Sequence, residues 1–221
     1  MLTVYTCGGP NPRKVTILLE ALHWQYNCKL VDLYQGQNRL PEYLAVNPNG
    51  RLPALVDDDG PGGKPILIWE SGAILQYIAE RAERFLPTKG AARYEVLKWL
   101  NFQVAHAPYL GNAHLYRTMY RDAMPFDIKR FTIESRRIYQ VLEDQLAVSP
   151  FVAGDEYSIA DMAWYPWIEY HDWQGQVSPT SPPSRNGSPN SASARRCREA
   201  ARSPGSMVNS AAARSVPNSR T

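Results

Sequence analysis

Cysteine is scarce in this chain of 221 residues: Cys7, Cys28 and Cys197 make an odd number without any C-x-x-C spacing. That argues against a disulfide framework and against a zinc site, and favours a reducing compartment, so a cytoplasmic location is expected. Long apolar runs are missing too, since no stretch approaches the ~18 consecutive apolar residues of a membrane-spanning helix. The opening MLTVYTCGGPNPRK lacks the charged segment and apolar run of a secretory leader, so neither a leader nor a membrane partner is expected. An excess of one charge is absent from the body of the chain. The formal net charge is +3, but residues 177–221 hold seven Arg and one Glu, or +6, which leaves residues 1–176 at −3. The basic balance belongs to the last segment, and the body offers no electrostatic case for a nucleic-acid partner.

That last segment is defined by what it lacks. Residues 177–221 contain eleven Ser, seven Arg, seven Ala and six Pro, and no Leu, Ile, Phe, Tyr, Trp or Lys. Ordering a backbone costs roughly 1–2 kcal/mol per residue, which such a composition has no apolar surface to offset, so disorder is expected there. Arg, Ala, Pro and Ser without Lys, Leu or aromatics is also what a GC-rich gene yields when read out of frame. A frameshifted continuation is therefore the expectation for this segment.

The first 84 residues alternate strand and helix signals. LTVYT reads as a strand, VTILLEAL as a helix, CKLVDL as a strand, PALV and PILIW as a hairpin around DDDGPGG, and SGAILQYIAER as a helix. The order βαβ-ββα predicts a small α/β domain with a right-handed parallel crossover and a hairpin completing the sheet. Residues 85–90 read as a linker. Residues 91–176 read as a second, all-helical domain, with Ile128, Phe131, Ser135, Ile138 and Leu142 on one helical face. Ser158-Ile159-Ala160-Asp161 announces a further helix through a capping box, a folding signal without chemistry.

Three short stretches could carry chemistry. In VNPNGRLPALVDDD a proline opens a strand, and a cis Leu52-Pro53 bond would turn the Leu52 backbone outward to pair with an extended peptide. In IWESGAIL, Ser71 stands where an N-cap belongs. The Gly72 and Ala73 amides could hold a carboxylate, and Glu70 an ammonium group. In GGPNPRKV, Asn11 can cap a helix with Pro12 at its first position, and a thiolate placed there would meet free amides and the Asn11 side chain. Lowering a thiol pKa from about 8.5 to about 6.5 requires roughly 2.7 kcal/mol. A helix dipole typically supplies about 0.3–1 kcal/mol and a hydrogen bond to a charged acceptor roughly 1.5–3, so the two together suffice where the dipole alone does not. Each piece alone also fits an ordinary cap, turn proline or surface carboxylate. Together they fit a ligand with a peptide-like middle and an α-amino acid end, the form of glutathione.

The stretches PNPRKVTILLE, VNPNGRLPALVDDD, IWESGAIL, WLNFQVAHAPYLGNAHLYR and YSIADMAWYPW resemble the glutathione S-transferase superfamily, in particular its nu-class disulfide reductases and the yeast nitrogen-regulator branch. The resemblance implies a thioredoxin-like domain with cis-Pro53 followed by a helical domain, usually as a homodimer. It also implies glutathione as co-substrate, no metal, and a small disulfide, peroxide or electrophile as second substrate. Carried over by position, Leu52 pairs its backbone with the cysteinyl part, Glu70 and Ser71 hold the γ-glutamyl end, Asn11 faces the sulfur, and Asn38 and Arg51 lie near the glycyl end. His106, Tyr109, Asn112, His114 and Tyr116 match the stretch bordering the second-substrate pocket.

Two departures stand out. Gly9 occupies a place where many relatives carry a hydroxyl, which favours disulfide or peroxide reduction over conjugation. Cys7 or Thr6 could substitute, Cys7 through a mixed disulfide if its pKa is lowered. After YHDWQGQ the resemblance implies further apolar helices that residues 177–221 cannot form, so the helical domain is expected to be incomplete, with Trp164, Trp167 and Trp173 short of cover. The alternatives to an enzyme are a non-catalytic regulatory protein that holds glutathione or a partner, and an unstable truncated product.

Overall fold

The computed structural model describes residues 1–120, 122 and 124–176. The expected disorder and frameshift of 177–221 fall outside the described residues, and so does the expected incompleteness of the second domain.

Four strands, β1 (Leu2–Thr6), β2 (Tyr26–Leu30), β3 (Ala54–Asp57) and β4 (Ile66–Trp69), form one sheet in the order β2-β1-β3-β4. β1 pairs in parallel with β2 and antiparallel with β3, and β3 pairs antiparallel with β4. The expected crossover and hairpin are both present. Leu2, Val4 and Thr6 alternate inward along β1, and Val4 lies opposite Leu55 across the β1/β3 ladder. At the β3–β4 turn a Cβ on Gly60 would stand 2.7 Å from Ile66 Cγ2, so no larger residue fits there.

Helix α1 (Pro10–Leu22) forms the crossover and α3 (Ser71–Ala82) follows the hairpin. Val15, Leu18, Leu19 and Leu22 of α1 meet Ile74, Leu75, Ile78 and Ala79 of α3 in a common buried cluster. The helical stripe read from VTILLEAL is therefore the one that covers the sheet. Between β2 and β3 the chain adds a four-residue helix α2 (Pro41–Leu44), too short to leave a periodic signal.

Helices α4 (Ala91–Thr118), α5 (Pro125–Val148) and α6 (Ile159–Ile168) follow. α4 runs unbroken through Pro108. α6 packs against both α4 and α1, and Trp164 on it is 1 % exposed. The expected loss of cover is therefore absent at Trp164, while Trp167 is half-buried and Trp173 is exposed. The segment 85–90 is less free than a linker: Leu86 is buried, and the Phe85 carbonyl accepts from the Ile159 N–H at 3.0 Å.

The start of α6 forms as the sequence predicts. Ser158 and Asp161 make a capping box, and the Asp161 carboxylate also accepts from the backbone N–H of Val152 at 2.9 Å. It thereby satisfies two backbone donors, those of Val152 and Ser158, at a buried junction. Asp161→Ala leaves both donors without an acceptor at about 1–3 kcal/mol each, so denaturant unfolding should show a loss of about 2–4 kcal/mol. Ser158→Ala should lose only about 1 kcal/mol, the ordinary effect of removing an N-cap.

Candidate functional site

The first turn of α1 is unusual in its donors. The helix begins at Pro10 with Gly9 as N-cap, so Asn11 is its second residue and Pro12 its third. Asn11 does not cap, contrary to the sequence reading, because Pro10 already has the backbone angle that a first helical position needs. Of the four backbone N–H groups that a helix start leaves open, Pro10 and Pro12 have none, and that of Gly9 is given to Cys7 Sγ at 3.4 Å. Only the Asn11 amide remains. A negative sulfur placed here would meet that single N–H and the Asn11 side chain.

The Asn11 side chain is itself engaged from behind. Trp167 Nε1 donates to Asn11 Oδ1 at 3.1 Å. Arg13 bonds the Glu169 carboxylate at 2.6 Å and the Tyr170 hydroxyl at 3.2 Å, so the start of α1 is tied to the end of α6 at two places.

Cys7 does not supply a ready thiolate. Burial pushes its thiol up, and the Gly9 N–H does not reverse that. The condition under which Cys7 could stand in for a missing hydroxyl is not met. Thr6 is buried, and its hydroxyl donates to the Cys7 carbonyl at 3.4 Å.

The second helix start is that of α3. Its N-cap is Glu70, and Ser71 is the first helical residue, one place further in than the sequence suggested. Glu70 has φ 75° and ψ 117°, a backbone region that a residue with a side chain rarely occupies and that costs of order 1–3 kcal/mol. The Ile74 N–H closes the first helical bond onto the Glu70 carbonyl, leaving the amides of Ser71, Gly72 and Ala73 open for an anion.

Beneath Ser71 lies a group that the sequence reading missed. Lys14, on the buried face of α1, is 1 % exposed. Its Nζ donates to Ser71 Oγ at 3.3 Å and to Gln103 Oε1 of α4 at 2.6 Å, and lies 5.9 Å from the centre of a Trp167 ring. Burial pushes its pKa down to about 7, while Glu70 pulls the other way. Gln103 is fully buried, and its Nε2 has no acceptor among the described residues. The sequence does carry a signal for both residues: each is a polar residue at a position where the helical period demands an apolar one. While Lys14 is charged it can only donate, so the Ser71 hydroxyl then accepts from it, and its own proton is free to point at a ligand.

The Leu52-Pro53 bond is cis, as expected. Just before it, the Arg51 carbonyl accepts from Tyr43 Oη at 2.5 Å and from Asn47 Nδ2 at 2.7 Å, so two buried side chains fix the loop. Burial lifts the Tyr43 phenol to about 12, which keeps it a donor at any physiological pH. Asn38 Nδ2 is committed to the Gly50 carbonyl at 2.7 Å, so Asn38 braces the loop, and the Arg51 side chain is exposed beside it.

The five second-substrate candidates are not brought together. His106 lies against Phe102 and donates through Nδ1 to the Phe102 carbonyl, 2.9 Å away, and Tyr109 and Tyr116 pack on Phe131 of α5. His114 turns to the α6 side and stacks on Trp173 at 4.9 Å, where burial lowers its pKa. Successive residues of a continuous helix point about 100° apart, so one short run of α4 serves two faces. Asn112 is half-buried on the same run.

The family model for the glutathione S-transferase N-terminal domain matches residues 1–80, and that for the C-terminal domain matches residues 129–186. The chain belongs to the glutathione S-transferase family. It is 39 % identical over 170 residues to the disulfide-bond oxidoreductase YfcG of Escherichia coli, covering 76 % of this chain and 79 % of that protein. It is 41 % identical over 174 residues to YghU of the same organism, also named a disulfide-bond oxidoreductase, and spans 60 % of that longer protein. A glutathione transferase structure from Pseudomonas putida, with one glutathione disulfide bound per subunit, superposes with a TM-score of 0.73 at 34 % identity. That superposition covers 79 % of this chain and 80 % of the other. The two Escherichia coli relatives carry the name of the disulfide-reductase branch to which the motifs pointed.

In this transferase-family chain Lys14 gives the site a pH signature. Unfolded, its ammonium titrates near the ordinary 10.5, and folded near 7, so between those values the unfolded chain holds more protons. Stability contributed at this position therefore rises with pH across that window. Denaturant unfolding of the parent chain and of Lys14→Met, compared at intervals from pH 7 to pH 10, should show the parent gaining on the variant as pH rises. Parallel curves would mean that the buried ammonium keeps its ordinary pKa.

Proposed function

We propose that this chain is a glutathione-dependent oxidoreductase of the transferase family whose bound glutathione sulfur attacks a small disulfide. The glutathione thiolate attacks one sulfur of the substrate, a new S–S bond forms as the old one breaks, and the departing thiolate takes a proton from solvent. A second glutathione thiolate then attacks the mixed disulfide. Two glutathiones thus deliver two electrons, leaving glutathione disulfide and two substrate thiols.

The observation that carries this reading is the start of α1, where Pro10 and Pro12 have no N–H and that of Gly9 is given to Cys7, so the helix start offers a sulfur the Asn11 amide and side chain. One charge-assisted hydrogen bond of about 1.5–3 kcal/mol corresponds to a thiol pKa about one to two units below 8.5, close to neutral pH. That is the range in which attack on a disulfide is fastest, since nucleophilicity falls as pKa falls further. In this reading Ser71 and the open amides of α3 receive the γ-glutamyl carboxylate, Glu70 the ammonium group, and the Leu52 backbone the cysteinyl part. Arg51 stands at the glycyl end, braced by Asn38. The His106, Tyr109 and Tyr116 side of α4 and the His114 side offer two separate aromatic walls to a second substrate. A homodimer in the cytoplasm completes the proposal: Leu67, Trp69 and Val104 are exposed apolar side chains that suit a second copy, and Cys7 and Cys28 are free thiols suited to a compartment that holds reduced glutathione.

The experiment pairs calorimetry of glutathione binding with turnover of a mixed disulfide, a peroxide and an aromatic halide. The disulfide should be the best substrate. Ser71→Ala should weaken glutathione binding about tenfold or more, as loss of a hydrogen bond to a charged group does. Asn11→Ala should bind glutathione nearly as well while kcat for the disulfide falls about tenfold or more, because its role is at the sulfur. Tight binding with no turnover of any substrate would instead make the chain a regulatory protein on the same scaffold, and absence of binding would overturn the reading.

A further inference from the structure

Trp167, near the end of α6, has no part in the assignments above, yet it touches the residue on which they turn. Its indole Nε1–H donates to Asn11 Oδ1 at 3.1 Å. An indole nitrogen is a donor only, so the orientation of the Asn11 amide follows from chemistry: the oxygen faces Trp167 and the NH2 group lies on the opposite side. A flipped amide would aim its lone pairs at a thiolate, which itself only accepts.

Trp167 is held in place by its own neighbours. A Cβ on Gly111 of α4 would stand 3.2 Å from Trp167 Cζ3, so a glycine there is what lets the ring approach. The Trp167 carbonyl accepts from Gln174 Nε2 at 2.8 Å, and Gln174 Oε1 accepts from the buried Tyr139 hydroxyl of α5 at 2.7 Å. A chain of contacts thus runs from α5 through residue 174 to Trp167 and on to the first turn of α1.

We infer that Trp167 is a positioning residue: its indole N–H holds the Asn11 amide with the NH2 group toward the glutathione sulfur and so helps to set the acidity of that thiol. The inference rests on the reading of Asn11 given above. Its consequence is that a side chain of the sheet domain takes its working orientation from the helical domain.

Trp167→Phe keeps the ring and removes the N–H. The thiol pKa of bound glutathione, followed by the ultraviolet absorbance of its thiolate, should rise by about 0.5–1 unit, the equivalent of one ordinary hydrogen bond. Glutathione affinity should stay within about twofold, and the loss in kcat/KM should disappear at a pH high enough to ionise the thiol unaided. In an Asn11→Ala background the same substitution should add nothing. Gly111→Ala, which displaces the ring without altering its chemistry, should raise the thiol pKa in the same direction and serves if Trp167→Phe does not fold. If Asn11→Ala leaves the thiol pKa unchanged, the reading of Asn11 fails and this inference with it. If Asn11→Ala raises the pKa while Trp167→Phe and Gly111→Ala lower only the melting temperature, the inference alone is overturned.

Discussion

An ammonium group with almost no contact with water sits where three helices meet. Lys14 belongs to α1, bonds the first residue of α3 and reaches a glutamine of α4. Burying a charge without a carboxylate in contact is among the more expensive things a protein does, and the group answers by giving up its proton more easily. A purely structural junction would be more stable with an aliphatic side chain there, since replacing buried charge with well-packed apolar groups is commonly neutral or stabilising. The position makes sense if an anion arrives at the open amides of α3, because a carboxylate beside Ser71 would add its charge to that of Glu70 in favour of the ammonium. Gln103, whose Oε1 accepts from that ammonium, has its Nε2 without an acceptor among the described residues.

The two helix starts follow one design. At each, a group that donates from behind the proposed ligand-facing residue, the charged Lys14 or Trp167, decides which way that residue presents its hydrogen-bonding atoms. Lys14 takes the lone pair of Ser71 and leaves its proton outward, and Trp167 takes the oxygen of Asn11 and leaves its NH2 outward. Both donors come from outside the turn they act on, so their effect depends on how α1, α3, α4 and α6 are packed. Rigid orientation of this kind is what separates a site that stabilises charge from a surface that merely contains the right residues.

The sequence made part of this legible and concealed the rest for identifiable reasons. The βαβ-ββα order, the hairpin, the cis bond at Pro53 and the capping box of α6 could be read because each leaves a local mark: alternation, a Gly-rich turn, an X-Pro pair before a strand, a serine three residues ahead of an aspartate. Both helix starts were displaced by one or two positions. Pro10 and Glu70 occupy places that side-chain preference gives to neither, and only the folded backbone shows that the proline φ and a strained Glu70 settle the matter. For Trp167 the sequence suggests only a lack of cover, since nothing in YSIADMAWYPW reveals that it meets a residue 156 positions earlier. Lys14 and Gln103 were readable in principle, as polar residues breaking an apolar stripe, but a long polar side chain on a helix face usually snorkels to solvent. The aromatic run of α4 suggested one pocket wall because the residues are adjacent in sequence, whereas a continuous helix separates them.

The missing hydroxyl at Gly9 then has a physical reading. A Cβ there would lie 3.4 Å from Cys7 Sγ, in ordinary contact, so space does not forbid a serine. A second donor beside Asn11 would drive the thiol pKa lower, increase the thiolate fraction and reduce its intrinsic reactivity. For addition to an electrophile whose rate is limited by the supply of thiolate, that exchange is favourable. For attack on a disulfide near neutral pH the gain is small once about half the thiol is ionised, and every further unit of acidity weakens the nucleophile. A first turn stripped of amides by two prolines, with a single oriented asparagine at its centre, would therefore stabilise a sulfur bound there by a limited amount. Limited stabilisation is what exchange between thiols and disulfides requires, because the same sulfur must both attack and leave.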